Sequence, residues 1–332
     1  MLCYANFPQH EMTVNTIDWC AATNAIITGS QDRSAFVWHF NSTTDSWDAQ
    51  AVVLRFDRAV TALKWSPDGQ KFAAGASDRK LVIGSFEPAE NWWIVQGYKK
   101  VAKSTITCID WHPSGKGILA SGSDYKARVC SALLPSVDGP DATWEFAGQV
   151  HTGMSLVLEF DQPLAWVHAC AWSPSGNKLM FTSHESVTYI AAWSEGGWQL
   201  LPILSKHLPA TCGVWLSEHC FITAGHDDAP IVFGDASGEW TELGQLDAAA
   251  MGAGSSAGSS SIAAKRALFA AKTSSTSPTA ASTKPKQIHS GAIVEVRHLG
   301  GSKFSSIGMD GRIAIWDMKT ASPSFSLDGL GL

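Results

Sequence analysis

Two sets of side chains in this sequence contain the residue types of a catalytic triad, each with a tryptophan added. One set lies near the start of the chain and the other near its end: His10, Thr28, Asp32 and Trp38, and then His289, Ser306, Asp310 and Trp316. A His that takes a proton from a hydroxyl while an Asp orients it is the chemistry of nucleophilic catalysis. The same residues also suit a structural role, in which the Asp accepts hydrogen bonds in a tight turn and the His links it to the hydroxyl and the indole.

Repetition of the set in two units, with the His at the same distance before the first strand, favours the structural role. His10 precedes Trp19 by nine residues, and His289 precedes His298 by the same distance. The sequence has neither the H-E-x-x-H motif of zinc proteases nor the G-x-x-x-x-G-K-[ST] phosphate loop. The seven cysteines are odd in number and contain no C-x-x-C pair, which argues against a zinc site or a disulfide framework. We therefore predict that the protein is not an enzyme and binds no cofactor or metal.

The elements that would position these sets are marked by tryptophan. The sequence has 15 Trp but four Tyr, and five of the Trp end short alternating apolar runs that are typical of strands, at 14–19, 60–65, 106–111, 167–172 and 211–215. An acidic residue follows each of the first four Trp by 13 residues and the fifth by 12, namely Asp32, Asp78, Asp124, Glu185 and Asp227. A sixth copy covers 293–298 and the acid Asp310.

Repeating units of about 40 to 46 residues with several short strands are typical of a WD-repeat β-propeller. A single blade cannot bury both of its faces, whereas neighbouring blades bury one another. Three of the units also contain a proline turn that favours a reversal between antiparallel strands, at 66–69, 112–115 and 173–176. The predicted fold class is therefore all-β, a single propeller domain over 1–332 with six recognisable blades.

Two intervals between the acids exceed the repeat, which predicts insertions. Pro and Gly residues mark 134–163 as a loop insertion. Residues 245–288 consist mainly of Ala, Ser, Gly and Thr, a composition that predicts disorder. Within them, 261–272 is predicted to be a short amphipathic helix, with Ile262, Leu268 and Phe269 on its apolar side.

Charge gives this second insertion a candidate role. The insertion has a net charge of +4, whereas the whole chain has −6 and the remainder therefore −10. A basic amphipathic peptide on an acidic domain suggests an arm for an acidic partner; the competing interpretation is a spacer without a partner. The acidic balance also argues against a protein that coats nucleic acid or an anionic membrane. Neither a membrane-spanning apolar stretch nor a secretory signal is present, so we predict an intracellular protein.

Several longer stretches resemble subunit 1 of the actin-related protein 2/3 complex, the WD-repeat subunit of the assembly that nucleates branched actin filaments. The most specific ones are Glu90-Asn91-Trp92-Trp93, Lys99-Lys100, Asp110-Trp111-His112-Pro113 and Trp166-Val167-His168. The likeness continues through Ser183-His184-Glu185-Ser186, Ala224-Gly225-His226-Asp227 and Gly308-Met309-Asp310-Gly311, together with the long insertion before the last blade.

The resemblance implies a seven-bladed propeller that acts as a cytoplasmic, non-catalytic part of the actin cytoskeleton. Its implied partners are the actin-related proteins and smaller subunits of the complex, the actin filament and nucleation-promoting factors, with no nucleic acid and no membrane insertion. It implies that the insertion helix contacts actin through Ile262, Lys265, Arg266, Leu268 and Phe269. It also implies that the acidic tails of nucleation-promoting factors reach this subunit, for which Lys99, Lys100 and Lys103 are the nearest basic cluster, although three lysines favour a solvated loop.

The chain departs from this family at its start. The family has a complete repeat before the position of Met1, where this chain has about a dozen residues, so the first blade is expected to be missing from the gene model or from the protein. The competing function is a generic WD-repeat adaptor, such as a substrate receptor of a ubiquitin ligase or a chromatin scaffold.

Overall fold

A computed structural model describes residues 9–98, 101–194, 197–235, 238–246, 288–319 and 325–332. The chain divides into two compact units, Met1–Ala210 and Thr211–Leu332. The described residues form six antiparallel sheets of the blade type and almost no helix. The predicted all-β propeller class with six recognisable blades is confirmed.

The first unit contains four blades, each with strands that follow one another in the chain. Blade 1 comprises β1 (Val14–Cys20), β2 (Ala25–Ser30), β3 (Ala35–Asn41) and β4 (Ser46–Val52). Blade 2 comprises β5 (Val60–Trp65), β6 (Lys71–Ala76), β7 (Leu81–Glu87) and β8 (Trp92–Gly97). Blade 3 comprises β9 (Ile106–Trp111), β10 (Gly117–Gly122), β11 (Lys126–Ser131) and β14 (Ser155–Phe160), and blade 4 comprises β15 (Val167–Trp172), β16 (Lys178–Ser183), β17 (Val187–Ser194) and β18 (Gly197–Leu204).

The second unit contains the other two blades. Blade 5 comprises β19 (Ala210–Ser217), β20 (Cys220–Gly225), β21 (Ile231–Gly234) and β22 (Thr241–Gln245). Blade 6 comprises β23 (Ile293–Gly300), β24 (Lys303–Gly308) and β25 (Ile313–Asp317), three strands among the described residues. The alternating runs ending at the periodic Trp positions form the first strand of their blades, as the period-2 pattern predicts.

The core of each unit lies between blade faces. In the first unit, one apolar cluster joins blades 1 and 2, a second joins blades 2 and 3, and a third joins blades 3 and 4. In the second unit, Phe304 and Trp316 of blade 6 pack with Ile222 and Val232 of blade 5. Mutual burial of this kind removes apolar surface from water at about 25 cal/mol per Å², which is the main stabilising contribution to a stack of blades.

Carboxylates on the first strands also link neighbouring blades. The backbone N–H of Trp65 donates to Asp18 Oδ2 (2.9 Å), and the N–H of Trp172 donates to Asp110 Oδ2 (2.8 Å). Burial raises the pKa of Asp110 above its usual value, although Lys64 and two backbone N–H groups oppose that effect. Each of these acids therefore fixes the first strand of the next blade.

The segment 134–163 differs from the predicted loop insertion. It contains the one-turn helix α1 (Pro135–Asp138), the hairpin of β12 (Thr143–Phe146) and β13 (Gln149–Thr152), and β14, the outer strand of blade 3. Trp144 and Phe146 stack at 4.4 Å between ring centroids and are buried. Aromatic burial thus orders a segment that its Pro and Gly content marks as a loop.

The second predicted insertion is described only at its ends. Gln245 ends β22, Leu246 is buried, and the Leu246 N–H donates to Pro230 O (2.9 Å). Ile288 is half-buried and its carbonyl accepts a hydrogen bond from Arg312 Nη1 (2.7 Å). The described ends therefore belong to the second unit, and the predicted helix 261–272 lies outside the described residues.

Candidate functional site

The four polar residues of blade 1 meet in one chain of hydrogen bonds. His10 Nδ1 lies 3.1 Å from Asp32 Oδ2, and His10 Nε2 lies 2.7 Å from Thr28 Oγ1. Trp38 Nε1 donates to the same hydroxyl oxygen (2.9 Å). Thr28 in β2 and Trp38 in the neighbouring strand β3 are diagonal in the register, where Trp38 pairs with Ile26 and Thr28 with Phe36, so the network is internal to the blade.

The corresponding residues of blade 6 repeat this geometry. His289 Nδ1 lies 3.2 Å from Asp310 Oδ1, and His289 Nε2 lies 2.7 Å from Ser306 Oγ. Trp316 Nε1 donates to Ser306 Oγ (2.8 Å). Ser306 and Thr28 have no exposed surface, and each hydroxyl already contacts an imidazole and an indole. A buried hydroxyl in two such contacts cannot meet a substrate, so the geometry suits fastening of strands.

Both aspartates are held in the charged form. Burial by itself raises the pKa of Asp32, but hydrogen bonds from Ser34, the Glu11 N–H and His10 outweigh it and hold that pKa well below its usual range. Asp310 has the same balance: burial raises its pKa, and the Ser290 N–H, His289 and the Arg312 N–H lower it to a greater extent. A carboxylate that accepts several hydrogen bonds is stabilised relative to the neutral acid.

The other blades of the first unit keep the acid and change its partner. In these blades another side chain serves as the partner of the acid: Lys80 lies 3.3 Å from Asp78 in blade 2, Arg128 lies 2.7 Å from Asp124 in blade 3, and the Tyr189 hydroxyl donates to Glu185 (2.8 Å) in blade 4. Arg128 is almost fully buried and also pairs with Glu159 at 2.9 Å. Sequence reasoning found the acids from their spacing but missed these partners, which belong to three residue types at different offsets.

One backbone contact is common to these blades. Each acid accepts a hydrogen bond from an N–H group 20 or 21 residues earlier, at the connector that enters the blade. The donors are Glu11, Asp57, Lys103, Leu164 and Ser290, at 2.9, 2.7, 2.8, 3.3 and 2.9 Å. The periodic acids therefore anchor the connectors between blades.

Cations gather at the same end of blades 1 and 2. Lys80 Nζ donates to Arg55 O (2.8 Å) and Asp57 Oδ2 (2.7 Å). A hydrogen bond and the charge of Lys80 lower the pKa of Asp57, and the charge of Arg33 adds to this effect, which places Arg33 near the same connector. We name the residues Arg33, Arg55, Arg58, Arg79 and Lys80 the blade 1–2 basic surface; its four arginines are exposed.

The signal for this surface was present in the sequence. Arg33 and Arg79 each follow a periodic acid directly, and both have left-handed backbone conformations (φ 72° and 73°) at the tips of equivalent turns. Turn tips that repeat every 46 residues bring their side chains to the same end of neighbouring blades. The net negative charge of the chain conceals this local excess of positive charge.

Two blades have sheet faces with large exposed apolar side chains. On blade 1, Ile17 and Trp19 are 47% and 54% exposed. On blade 6, Ile313 and Ile315 are 71% and 58% exposed. Apolar groups that cluster on a sheet face are typical of surfaces that another structure covers.

Other classes of site are not found in the described ranges. Among these residues no group of three or more His, Cys, Asp or Glu side chains is placed to hold a metal ion. Within the described ranges, no helix is long and apolar enough to cross a membrane.

Known proteins show the same pattern of repeats. The model of the WD domain, G-beta repeat, matches residues 1–39, 52–83 and 96–131. Actin-related protein 2/3 complex subunit 1B of Arabidopsis thaliana is 31% identical, over 94% of this chain and 84% of that protein. Subunit 1A-B of Xenopus laevis is 32% identical over 94% and 84%, and subunit 1 of Schizosaccharomyces pombe is 31% identical over 94% and 87%.

The chain belongs to the family of actin-related protein 2/3 complex subunit 1. The resemblance found from its motifs is thereby confirmed. In this subunit 1 homologue, the five residues of the predicted actin contact, Ile262, Lys265, Arg266, Leu268 and Phe269, lie outside the described residues. The predicted role of these side chains stays a prediction.

The three lysines of the other predicted contact are divided. Lys99 and Lys100 also lie outside the described residues, whereas Lys103 is exposed and its N–H donates to Asp124. The connector is fixed on either side, because the Tyr98 hydroxyl donates to Ser131 O (2.8 Å) and Val101 is buried. Lys103 therefore stands at the entry to blade 3, at the same kind of connector that carries Asp57 into blade 2.

Proposed function

We propose that this chain is a non-catalytic subunit of an actin-related protein 2/3 complex, located in the cytoplasm on the actin cytoskeleton. The observation that carries the proposal is the 31–32% identity to subunit 1 proteins over 94% of the chain. The two sets of His, hydroxyl and Asp side chains fasten strands within their blades, and both hydroxyls are buried. This structural role supports the assignment of the chain as a scaffold. The partners that follow are the actin-related proteins and the smaller subunits.

Purification of the tagged full-length chain from its own cells tests this assignment. Recovery of two actin-related proteins and the smaller subunits in constant proportion supports it. Recovery of cullin adaptors or histones in their place would support the generic WD-repeat adaptor and refute the proposal.

We further propose that the insertion is an actin-binding arm. Its sequence is basic on an otherwise acidic chain, and both described ends are fixed to the second unit through Leu246 and Ile288. An arm anchored at both ends presents its basic apolar segment without disturbing the blades on either side. Ile262, Leu268 and Phe269 would supply apolar contacts, and Lys265 and Arg266 would attract the acidic filament surface.

Charge reversal separates the arm from a spacer. The complex with Lys265→Glu and Arg266→Glu is expected to bind filaments about 2- to 5-fold more weakly for each reversed charge, with fewer branches per filament. Phe269→Ala should act in the same direction through lost apolar contact. Lys284→Glu with Lys286→Glu gives the same change in net charge outside the predicted helix and serves as the matched control. Equal branching in all of these variants, with intact complexes, would identify the insertion as a spacer.

A third part of the proposal concerns nucleation-promoting factors. Their acidic tails would meet Lys99, Lys100 and Lys103, and the blade 1–2 basic surface adds five cations at connectors and turns of the same type. Arginine side chains pair well with carboxylates because their donors form a fixed fork. The acidic tail would therefore be attracted over long range and bind less tightly at high salt.

Tail binding by fluorescence anisotropy at 50 and 200 mM salt tests this surface. Arg33→Glu with Arg79→Glu, and separately Lys103→Glu, should weaken binding and reduce its salt dependence. Lys319→Glu, an exposed lysine of the second unit, is the charge control. Unchanged affinity in the variants of the first unit would exclude these residues from the contact.

A further inference from the structure

Two cysteines face each other between blades 3 and 4. Cys108 lies in β9 and Cys170 in β15, the first strands of the two blades. Cys108 Sγ is 3.7 Å from Cys170 O, and Cys170 Sγ is 3.6 Å from Leu119 O of blade 3. Each thiol therefore points toward the backbone of the neighbouring blade.

The backbones around this pair are fixed on both sides. The hydroxyl of Thr107 donates to Val167 O, and the N–H of Trp172 donates to Asp110 Oδ2 (2.8 Å). These contacts tie β9 to β15 immediately before and after the cysteines. A disulfide requires neighbouring backbones that already lie close together, and this arrangement supplies them.

The two cysteines differ in the exposure of the residue as a whole and in the direction in which the thiol pKa is shifted. Cys170 is buried, whereas Cys108 is partly exposed. The proximity of Cys170 lowers the pKa of Cys108, while burial and then the proximity of Cys108 raise the pKa of Cys170. Burial raises the pKa of Cys130 and of Cys220 to about 12. Since the thiolate is the reactive form, Cys108 has the properties of the attacking residue and Cys170 those of the resolving residue.

We propose that Cys108 and Cys170 form a reversible disulfide that joins blades 3 and 4 when the protein meets a two-electron oxidant of the peroxide class. The Cys108 thiolate attacks one peroxide oxygen, which breaks the O–O bond and gives a sulfenic acid and hydroxide from hydrogen peroxide. The Cys170 thiol then attacks the Cys108 sulfur, the S–S bond forms, and the sulfenic oxygen leaves as water. A dithiol reductant returns both thiols by exchange.

The bond would stabilise the first unit. It joins residues 62 apart in the chain and thus restricts the unfolded chain over a long loop. Because both cysteines are already in contact in the folded blades, the native structure needs little change to accept the bond. Oxidation would therefore make the junction of blades 3 and 4 harder to open without blocking the outer surfaces of either blade.

Thiol counting and peptide mapping on the full-length protein test the proposal. Native protein is treated with hydrogen peroxide, denatured, alkylated and digested with trypsin and a Glu-specific protease, which separates Cys130 from Cys170. Two of the seven thiols should become resistant to alkylation, and the linked peptides should contain Cys108 and Cys170. Dithiothreitol should restore both, and oxidation should raise the thermal midpoint by about 10 °C.

Variants assign the roles of the two thiols. Cys108→Ser and Cys170→Ser should each abolish the linked peptide and the thermal shift, whereas Cys130→Ser should leave both unchanged. In Cys170→Ser, Cys108 should remain a sulfenic acid that a dimedone probe labels. Three results would overturn the proposal. They are a disulfide between any other pair of cysteines, loss of one thiol without a linked peptide in the chain that keeps all its cysteines, and a linked peptide without a thermal shift.

Discussion

Lys71 and Asp138 form a buried ion pair whose removal should destabilise the first unit in a defined order. Lys71 Nζ lies 2.9 and 2.8 Å from the two oxygens of Asp138 and donates to Ala132 O at 3.1 Å. The side chains are 1% and 13% exposed, and the ammonium lies 5.6 Å from the centre of the Trp111 ring. The pair thus fastens blade 2 to α1 of the insertion that follows β11 in blade 3.

The expected magnitudes follow from which group is left unpaired. Asp138→Ala leaves a buried ammonium without a carboxylate and should lower the free energy of unfolding by about 3–5 kcal/mol. Lys71→Met leaves a partly exposed carboxylate that still accepts the Leu134 N–H, so about 1–3 kcal/mol should be lost. The double variant leaves neither charge unpaired and should be more stable than Asp138→Ala alone.

Urea denaturation followed by tryptophan fluorescence measures these differences, because Trp111 lies beside the pair. Asp141→Ala removes an exposed acid from the same insertion and is the control, with an expected change within about 0.5 kcal/mol. If the double variant loses as much stability as the two single variants combined, the two side chains do not act as a pair and the reasoning fails.

Three further predictions concern the blades and their turns. Ser306→Ala leaves His289 Nε2 and the Trp316 indole N–H without their shared partner and should cost the second unit about 2–4 kcal/mol in denaturation experiments. Ser306→Thr should retain most of the stability because Thr28 has this role in blade 1. Folding lowers the pKa of Asp310, so the stabilisation that this carboxylate contributes is complete above the unfolded pKa of about 4 and disappears as the pH falls through the lower folded value. Asp310→Asn should therefore make the thermal midpoint less dependent on acid pH. An unchanged pH profile of the midpoint would contradict this. Gly176→Ala and Gly153→Ala both put a side chain at positive φ (79° and 66°), but only in the first does the added methyl group lie 2.1 Å from the His112 imidazole. Gly176→Ala should therefore lower the free energy of unfolding by about 1–3 kcal/mol more than Gly153→Ala. Equal losses would show that backbone strain, and not the clash, sets the cost.

Strands and turns of the blades were predictable because their signal is periodic. Alternation of apolar residues identifies a first strand, and an acid at a fixed distance identifies the turn that anchors the connector. The His, hydroxyl and Trp sets were equally visible in blades 1 and 6, since the hydroxyl and the Trp are 10 residues apart in both and the His precedes the hydroxyl by 18 and 17 residues. Repeated blade geometry therefore appears in the sequence as residue types at regular intervals.

What the sequence did not reveal depends on contacts between distant positions. Burial of Lys71 and Arg128 cannot be inferred from their neighbours in the chain, because it depends on Asp138 in one case and on Asp124 and Glu159 in the other. The β12–β13 hairpin was predicted as loop because Pro and Gly dominate its surroundings. Its alternation, Thr143-Trp144-Glu145-Phe146 before the turn at Ala147-Gly148, was a signal that short segments give only weakly.

Anchoring of the connectors has a consequence for how such a protein diversifies. The N–H of each connector is held by an acid of the blade that it enters, so the start of that blade is set by a contact inside its own repeat. The connector on either side of this contact can therefore accept substitutions, insertions or changes of charge during evolution while the order of the blades is kept. Partner-binding residues in the connectors can thus change during evolution at little cost to the stability of the blades. Relatives with about 31% identity need not bind their partners through the same residues.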